Sequence, residues 1–365
     1  MTAMPISQGQ PDPSKRFGHW TTRLFVLVLF TLLTLGMTYP LILNVAKAIP
    51  GPPWDNFVWL YDLWWFRHSI VDLGKWPTFN PTIFYPFGYD LRLSETMLAN
   101  KVLIAPILFW SNETIAYNVF LLLTFVLTGY TMYLLLAYLT DNPFGAVVGA
   151  AIFAFSPYRM HAMAAGWLPL LATQWIPLVF LYIERSLRER QARFALWAGL
   201  FMALTVLSSW YYLYIVGSLV VVYLLFRLRP WGETFHQPVF WRNLLLASLV
   251  FLALVVPVAL PVVLGRAREM GWSLTEVEKW AASADDFFLP NVYHPIWGKY
   301  FLSMRAYTLR YPWYAPGFVY LGVVALLLAF KGLFGVRGRY KVVGPLLWVG
   351  VISFILALGV VLHWR

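Results

Sequence analysis

The sequence predicts an all-helical membrane protein that crosses the bilayer several times. Of its 365 residues, 60% are hydrophobic and only 12% are charged, whereas an ordinary soluble domain carries roughly 25% charged residues. The apolar residues are gathered into long runs, several of them long enough to cross a bilayer. Aromatic residues make up 19% of the chain, which is typical of wide aromatic belts at the membrane interfaces.

Nine apolar segments are predicted to span the membrane, and further interfacial or re-entrant helices are expected in a long first outer loop. The segments are 24–45, 115–139, 143–157, 167–184, 194–208, 210–227, 243–264, 315–330 and 342–362. Residues 1–22 form a flexible cytoplasmic tail, and residues 23–365 are expected to form a single transmembrane domain. The first run is longer than the apolar core of a signal peptide, which has about 7–15 residues, so we expect an uncleaved helix.

The positions of Arg and Lys predict the orientation. If residues 97–112 lie at the interface or re-enter, the Arg-rich loops share the side of the N-terminus; these are 184–193, 227–242 and 331–341. Short basic loops belong in the cytoplasm. That side then holds 14 basic and 5 acidic residues, so the net charge of +11 reflects topology and predicts no nucleic-acid partner. We expect a multi-pass inner (plasma) membrane protein with outer loops 46–114 and 265–314.

The first outer loop begins with a predicted amphipathic helix at residues 54–73. Asp55 lies in its first turn, where the helix dipole stabilises a carboxylate. Asp62 follows seven residues later, roughly 10 Å along the same face. Asp55 can therefore be a helix-capping acid or a reactive one. For Asp62, pairing with Arg67 or Lys75, or simple solvation, is the favoured interpretation.

Other candidate residues lie in the same predicted outer regions. The aromatic loop 80–90 contains Tyr85 and Asp90, and its rings suit either the wall of a sugar site or a membrane anchor. Arg159 and His161 follow the segment 143–157. An Arg at this boundary either reaches lipid headgroups or binds an anion, and its donor fork matches phosphate oxygens.

The second outer loop offers His294 and Arg305 as contacts for an anionic substrate, and the Asp285–Asp286 pair as a metal site, a sugar site or solvated acids. The chain has no cysteine and therefore no thiol chemistry. It has no phosphate-binding glycine loop, dinucleotide fingerprint or HExxH metal motif. No apolar span carries an acid at mid-depth, which argues against a proton-coupled transporter. The sequence assigns no cofactor and leaves a divalent metal ion open.

A set of short motifs over about residues 20–300 resembles the GT-C fold glycosyltransferases, particularly bacterial polytopic members. The motifs are Asp55-Asn56 with Trp59 and Leu63-Trp64-Trp65, Phe84-Tyr85-Pro86-Phe87-Gly88, Phe155-Ser156-Pro157-Tyr158-Arg159, Thr173-Gln174-Trp175-Ile176-Pro177, and Asp286 with Pro290 and His294-Pro295. The resemblance implies a GT-C-like fold and a hexosyl- or pentosyltransferase of cell-envelope glycans that uses a polyprenyl-phosphate sugar. Many relatives carry a second acid where this chain has Asn56. Because the chain ends directly after an apolar run, a C-terminally truncated member is also expected.

In the scheme that the resemblance implies, Asp55 is the general base on the acceptor hydroxyl, which attacks the sugar with inversion. The leaving phosphate is met by Arg159 and His294. His161, Asp90, Tyr85 and Arg305 complete the predicted donor and substrate contacts. The acceptor is an unidentified glycan, lipid or protein.

Two other functions fit the same sequence. One is a non-catalytic subunit of a larger membrane complex, or a degenerate relative of the enzymes. The other is a lipid or glycan translocator. A translocator needs polar residues along a path through the membrane, whereas here they are concentrated on one side.

Overall fold

A computed structural model describes residues 20–265, 273, 281–290, 297–300, 319–335 and 340–359. These residues are organised almost entirely as helices. The helices are α1 (Trp20–Met37), α2 (Asp55–Val71), α3 (Leu98–Trp110), α4 (Glu113–Thr140), α5 (Pro143–Ala154), α6 (Pro157–Ala165), α7 (Leu168–Leu171), α8 (Ile176–Glu189), α9 (Ala192–Ser208), α10 (Tyr211–Arg227), α11 (Trp231–Phe235), α12 (Pro238–Leu264), α13 (Val323–Gly335) and α14 (Val343–Ala357). An antiparallel ribbon of β1 (Phe79–Asn80) and β2 (Tyr89–Asp90) lies between α2 and α3. Short 3-10 turns occupy Leu41–Asn44, Leu91–Leu93 and Ala284–Phe287.

Within the ranges that the structure describes, three helices, α1, α4 and α12, are long and apolar enough to cross a membrane. The prediction of a helical membrane protein is therefore confirmed. Helices α3, α9, α10, α13 and α14 are apolar but contain only 13 to 17 residues, fewer than the roughly 20 that a straight span needs. The number of nine spans stays a prediction.

Two of the predicted spans have different bounds. The first ends at Met37 and is followed by a 3-10 turn, rather than continuing to residue 45. The segment 167–184 is divided into α7 and α8 by residues 172–175. The break brings polar groups into the core: the Gln174 amide oxygen accepts a hydrogen bond from Thr124 Oγ1 at 2.5 Å. Buried polar groups need such hydrogen-bond partners. The non-helical backbone at residues 172–175 lets the Gln174 side chain reach its partner in α4.

Helix α4 is central to the described fold, because α1, α2, α3, α5 and α8 all pack against it. Its N-terminal half forms the main apolar cluster with the helices of the first long loop, including Leu63 and Phe66 of α2, Ile104 and Leu108 of α3, and Tyr117 and Phe120 of α4. Closer to its C-terminal half, Gly129 admits Phe30 of α1 so closely that a Cβ would overlap the ring. The first long loop (residues 46–114) is thus anchored on the bundle.

Candidate functional site in the first long loop

One buried side chain, Asn56, fixes the entry to α2. Its Oδ1 accepts hydrogen bonds from the backbone N–H groups of Trp54 at 2.9 Å and Phe57 at 3.1 Å. Its Nδ2 donates to the Pro50 carbonyl oxygen at 2.9 Å. An amide that satisfies three backbone groups holds the turn in one conformation. Asn56, the neighbour of Asp55, therefore orients the start of the helix.

The start of α2 docks on the turn between α6 and α7 through two glycines. Gly51 has φ +90° and Gly166 has φ +77°, a region that glycine enters without steric penalty. A Cβ on Gly166 would overlap the backbone nitrogen of Asn56, and one on Gly51 would overlap the carbonyl oxygen of Ala164. The two segments consequently approach at backbone-contact distance, which places Asp55 beside Trp167.

Asp55 is the first residue of α2 and is exposed. Partial burial of the carboxyl group raises the pKa of Asp55, and a hydrogen bond with the Trp167 side chain opposes that shift. The ring of His161 meets Trp167 edge-on, with ring centroids 5.2 Å apart, and burial lowers the pKa of His161. The structure therefore brings two predicted site residues, Asp55 and His161, into contact with the same side chain, Trp167.

The ribbon carries two other predicted residues. Asp90 pairs with Arg92 at 2.6 Å, and hydrogen bonding to this guanidinium lowers the pKa of Asp90. Tyr85 is 84% exposed, in an exposed aromatic tip shared with Phe84 and Phe87. An exposed aromatic tip suits both the wall of a sugar site and a membrane anchor.

A cavity of about 210 Å³ lies between α2, α3 and the C-terminal part of α12. Its charged floor is the ion pair between Asp62 and Lys101, at 2.7 Å, with side chains only 14% and 9% exposed. Lys101 also lies over the Phe66 ring, 5.6 Å from its centroid. The partner of Asp62 is thus Lys101, 39 residues further along the chain, and the expected pairing with Arg67 or Lys75 is not observed.

Glu95 also lines this cavity, and the sequence analysis missed it. Its carboxylate accepts hydrogen bonds from Ser209 Oγ and the backbone N–H of Trp210, both at 3.0 Å. Burial raises the pKa of Glu95 to about 7, against the opposing effect of these bonds. Glu95 stands in no recognisable motif, and its partners are more than 100 residues away in the sequence, so no local pattern pointed to it.

Arg159 is only 2% exposed. Its Nε donates to the Ala154 carbonyl oxygen and its Nη1 to the Leu171 carbonyl oxygen, both at 2.9 Å. Nη1 also bonds to Thr173 Oγ1, and the guanidinium lies over the Phe125 ring at 4.6 Å. Arg159 thus ties the α6–α8 region to α4, and a donor phosphate could reach its Nε and Nη1 only by displacing these bonds.

Only some of the remaining predicted residues lie within the part of the chain that the structure describes. His294 and Arg305 lie outside the described residues. Asp286 is buried and accepts a hydrogen bond from the backbone N–H of Ser283 at 2.9 Å, in a capping box. Across the described ranges, no group of three or more His, Asp or Glu side chains could hold a metal ion.

Comparisons with known proteins give one family and one solved structure. The model of a protein family described as "Domain of unknown function (DUF6311)" matches residues 24–364. No curated protein matches the chain. A solved structure of the archaeal oligosaccharyltransferase AglB from Archaeoglobus fulgidus, in complex with an inhibitory peptide and a dolichol-phosphate, is similar at 17% identity and a TM-score of 0.43. The match covers 95% of this chain and 38% of that chain. A TM-score of this size is too low to establish a shared fold.

Proposed function

The chain belongs to the DUF6311 family, and from its own residues we propose that it is a membrane-embedded glycosyltransferase. A sugar moves from a polyprenyl-phosphate-linked donor to an acceptor hydroxyl on the extracytoplasmic side. The hydroxyl oxygen bonds to the anomeric carbon with inversion, the bond from that carbon to the phosphate oxygen breaks, and polyprenyl phosphate leaves. The hydroxyl proton passes to a carboxylate.

The cavity beside α12 carries this proposal. It combines two cations, Arg92 and Lys101, with the aromatic side chains of Phe66 and Trp76. Cations stabilise a leaving phosphate, and aromatic rings pack on the CH-rich face of a sugar. The cavity also borders α12 near Pro257, on a helix apolar enough to lie in the membrane. A lipid-linked donor needs these three surfaces together.

The net charge of the cavity favours binding of a phosphate only when Glu95 is protonated. Asp62 and Lys101 neutralise each other at 2.7 Å. Arg92 is already paired with Asp90 at 2.6 Å, so an ionised Glu95 gives the cavity an additional negative charge, and the pKa of Glu95 is about 7. A phosphate that enters near Arg92 favours the protonated form of Glu95. Donor binding is therefore expected to strengthen as pH falls below neutrality.

Asp55 is the general base in this proposal. It is exposed, and the Trp167 side chain orients its carboxylate. The rise along α2 places it roughly 10 Å from Asp62, a distance that a phosphate and one sugar ring can bridge from the cavity. Glu95 is less suited to the role because both of its oxygens already accept hydrogen bonds at the Ser209–Trp210 turn.

Sugar transfer by the purified full chain tests the assignment, with a panel of polyprenyl-phosphate hexoses and pentoses as donors. We expect Asp55→Asn to lower the rate by about 10²–10⁴, the usual contribution of a general base. Asp72→Asn is the matched control, because Asp72 is an acid at the end of the same helix and pairs with His68 at 2.7 Å. It should transfer at the wild-type rate.

Two results would overturn parts of this scheme. The general base would be Glu95 instead if three results occurred together. Asp55→Asn would transfer sugar at the wild-type rate, the wild-type rate would rise through pH 7, and Glu95→Gln would transfer no sugar. If the folded wild-type chain transfers no sugar from any donor and co-purifies with stoichiometric partner proteins, the enzyme assignment fails and a non-catalytic subunit is favoured.

A further inference from the structure

A second cavity, of about 270 Å³, lies at the other end of α12. Phe240 and Asn243, from the first turns of that helix, line it, whereas Pro257 and Pro261 line the first cavity. At 1.5 Å per residue the centres of the two pairs are roughly 25 Å apart along the axis. Because α12 is long and apolar enough to cross a membrane, the two cavities face opposite membrane surfaces.

The second cavity is strongly cationic. Four basic side chains line it, Arg190, Arg227, Arg229 and Lys341, against the single acid Glu233. They come from the residue after α8, the end of α10, the segment that follows α10, and the segment just before α14. Segments distant in sequence therefore converge on one cationic site, which is more than the scattered positive charge that membrane orientation requires.

A buried acid near the cavity is already neutralised by other groups. Glu184 is fully buried. Its Oε1 accepts hydrogen bonds from Arg227 Nε at 2.7 Å and from Tyr223 at 2.6 Å. Its Oε2 pairs with Arg188 Nε at 2.8 Å. Glu184 thus forms ion pairs with two guanidinium groups, those of Arg188 and Arg227. It therefore does not neutralise the other cations of the cavity.

Three cations remain available to a ligand. Arg190, Arg229 and Lys341 are exposed, and among the described residues none of them forms an ion pair. The guanidinium of Arg229 lies over the Phe226 ring at 4.7 Å, which orients it without neutralising its charge. Three unneutralised cations around one cavity form a site for an anion with several acceptor oxygens.

The walls of the cavity identify the class of anion. Leu224, Leu228, Phe240 and Leu244 give it apolar sides, and Leu244 and its neighbour Leu245 are exposed on α12, the side that a bilayer would cover. A cationic mouth above apolar walls at a membrane surface fits a phosphate with hydrocarbon chains. Basic pockets between transmembrane helices on the cytoplasmic side bind anionic headgroups in this way.

We infer that this cavity binds the phosphate group of an anionic membrane phospholipid, held by Arg190, Arg229 and Lys341. Free phosphate shares the recognised group but lacks the chains that the apolar walls contact. The site lies across the membrane from the proposed active site, and binding to it does not depend on sugar transfer.

Lipid binding to the full chain in detergent tests the inference, measured by native mass spectrometry and by ligand-induced thermal stabilisation. The probes are phosphatidylglycerol, phosphatidylcholine and inorganic phosphate. We expect saturable binding of phosphatidylglycerol, weakened about fivefold for each cation replaced by Gln, with little binding of the other two probes. Arg193→Gln is the matched control, since Arg193 is an exposed Arg in the first turn of α9, three residues after Arg190, and does not line the cavity.

Three results would overturn the inference. The first is unchanged phosphatidylglycerol binding by the triple variant Arg190→Gln, Arg229→Gln, Lys341→Gln. The second is an equal loss in Arg193→Gln, which would reduce the effect to net charge. The third is binding of inorganic phosphate as tight as that of phosphatidylglycerol, which would assign the site to a soluble anion. If the triple variant does not fold, the three single variants give the same comparison.

Discussion

Removing Lys101 should destabilise the protein strongly, because it leaves a buried carboxylate without its cation. In the Lys101→Met variant the ion pair with Asp62 at 2.7 Å is lost, and both side chains are less than 15% exposed. Breaking a buried pair in this way costs about 3–5 kcal/mol. The Lys101 interaction with the Phe66 ring, at 5.6 Å, adds about 0.5–1 kcal/mol. We therefore expect the free energy of unfolding to fall by about 3.5–6 kcal/mol.

The loss should also depend on pH. Burial raises the pKa of Asp62, and Lys101 opposes that shift. Without Lys101 the pKa rises further, so the native variant holds a proton that the unfolded chain releases near pH 4. Stability of the variant therefore decreases as pH rises from about 4 toward the new native pKa. The loss relative to wild type is smaller at pH 5 than at pH 8.

Equilibrium unfolding in mixed micelles measures these differences. The control is the double variant Asp62→Leu, Lys101→Met, in which no charge is left buried. Replacing a whole buried pair by apolar groups is often neutral or stabilising, so this variant should lie within about 1 kcal/mol of wild type. If it instead loses as much stability as Lys101→Met, removing the carboxylate does not relieve the loss, and the buried ion pair is refuted.

Two other variants test features of the first long loop. Gly166→Ala should lower the free energy of unfolding by more than about 2 kcal/mol, since a Cβ overlaps Asn56 and φ is +77°; this is measured by unfolding in micelles. Gly74→Ala should lose only the roughly 1–2 kcal/mol of a left-handed residue, because no atom lies within 4 Å of its Cβ position, and equal losses would exclude the close approach. For Glu95, the native pKa of about 7 exceeds the ordinary 4.5, so wild-type stability relative to Glu95→Gln should fall between pH 4.5 and 7, by up to about 3 kcal/mol; a pH-independent difference would contradict the shift.

Local patterns in the sequence were sufficient for the elements whose apolar periodicity is uninterrupted. The helix expected at 54–73 is found at Asp55–Val71, and the interfacial or re-entrant segment 97–112 contains the helix Leu98–Trp110. The prediction of a single helix over residues 167–184 was wrong. The apolar composition of this segment concealed Thr173 and Gln174, whose partners in α4 and α6 are more than 10 residues away.

The candidate site was less predictable than the fold for the same reason. Asp55 stands in a motif at a helix start and could be selected from the sequence. Glu95 and Lys101 become significant only through contacts with Trp210 and Asp62, at separations of 115 and 39 residues. Arg159 had the residue type and position of an anion ligand, but it is buried by contacts with Phe125 of α4 and with Leu171 and Thr173, which no local pattern reports.

The two prolines of α12 make one wall of the first cavity easier to bend than the opposite wall. Pro257 and Pro261 lie inside the helix and line the cavity. Proline has no N–H to donate, so the carbonyl groups of Ala253 and Pro257 lose their helical hydrogen bonds. Helices bend most readily at such positions. The opposite wall, formed by α2 and α3, is held by a buried ion pair and core packing. Bending of α12 can therefore change the width of the cavity, while Asp62 and Lys101 on the opposite wall keep their spacing.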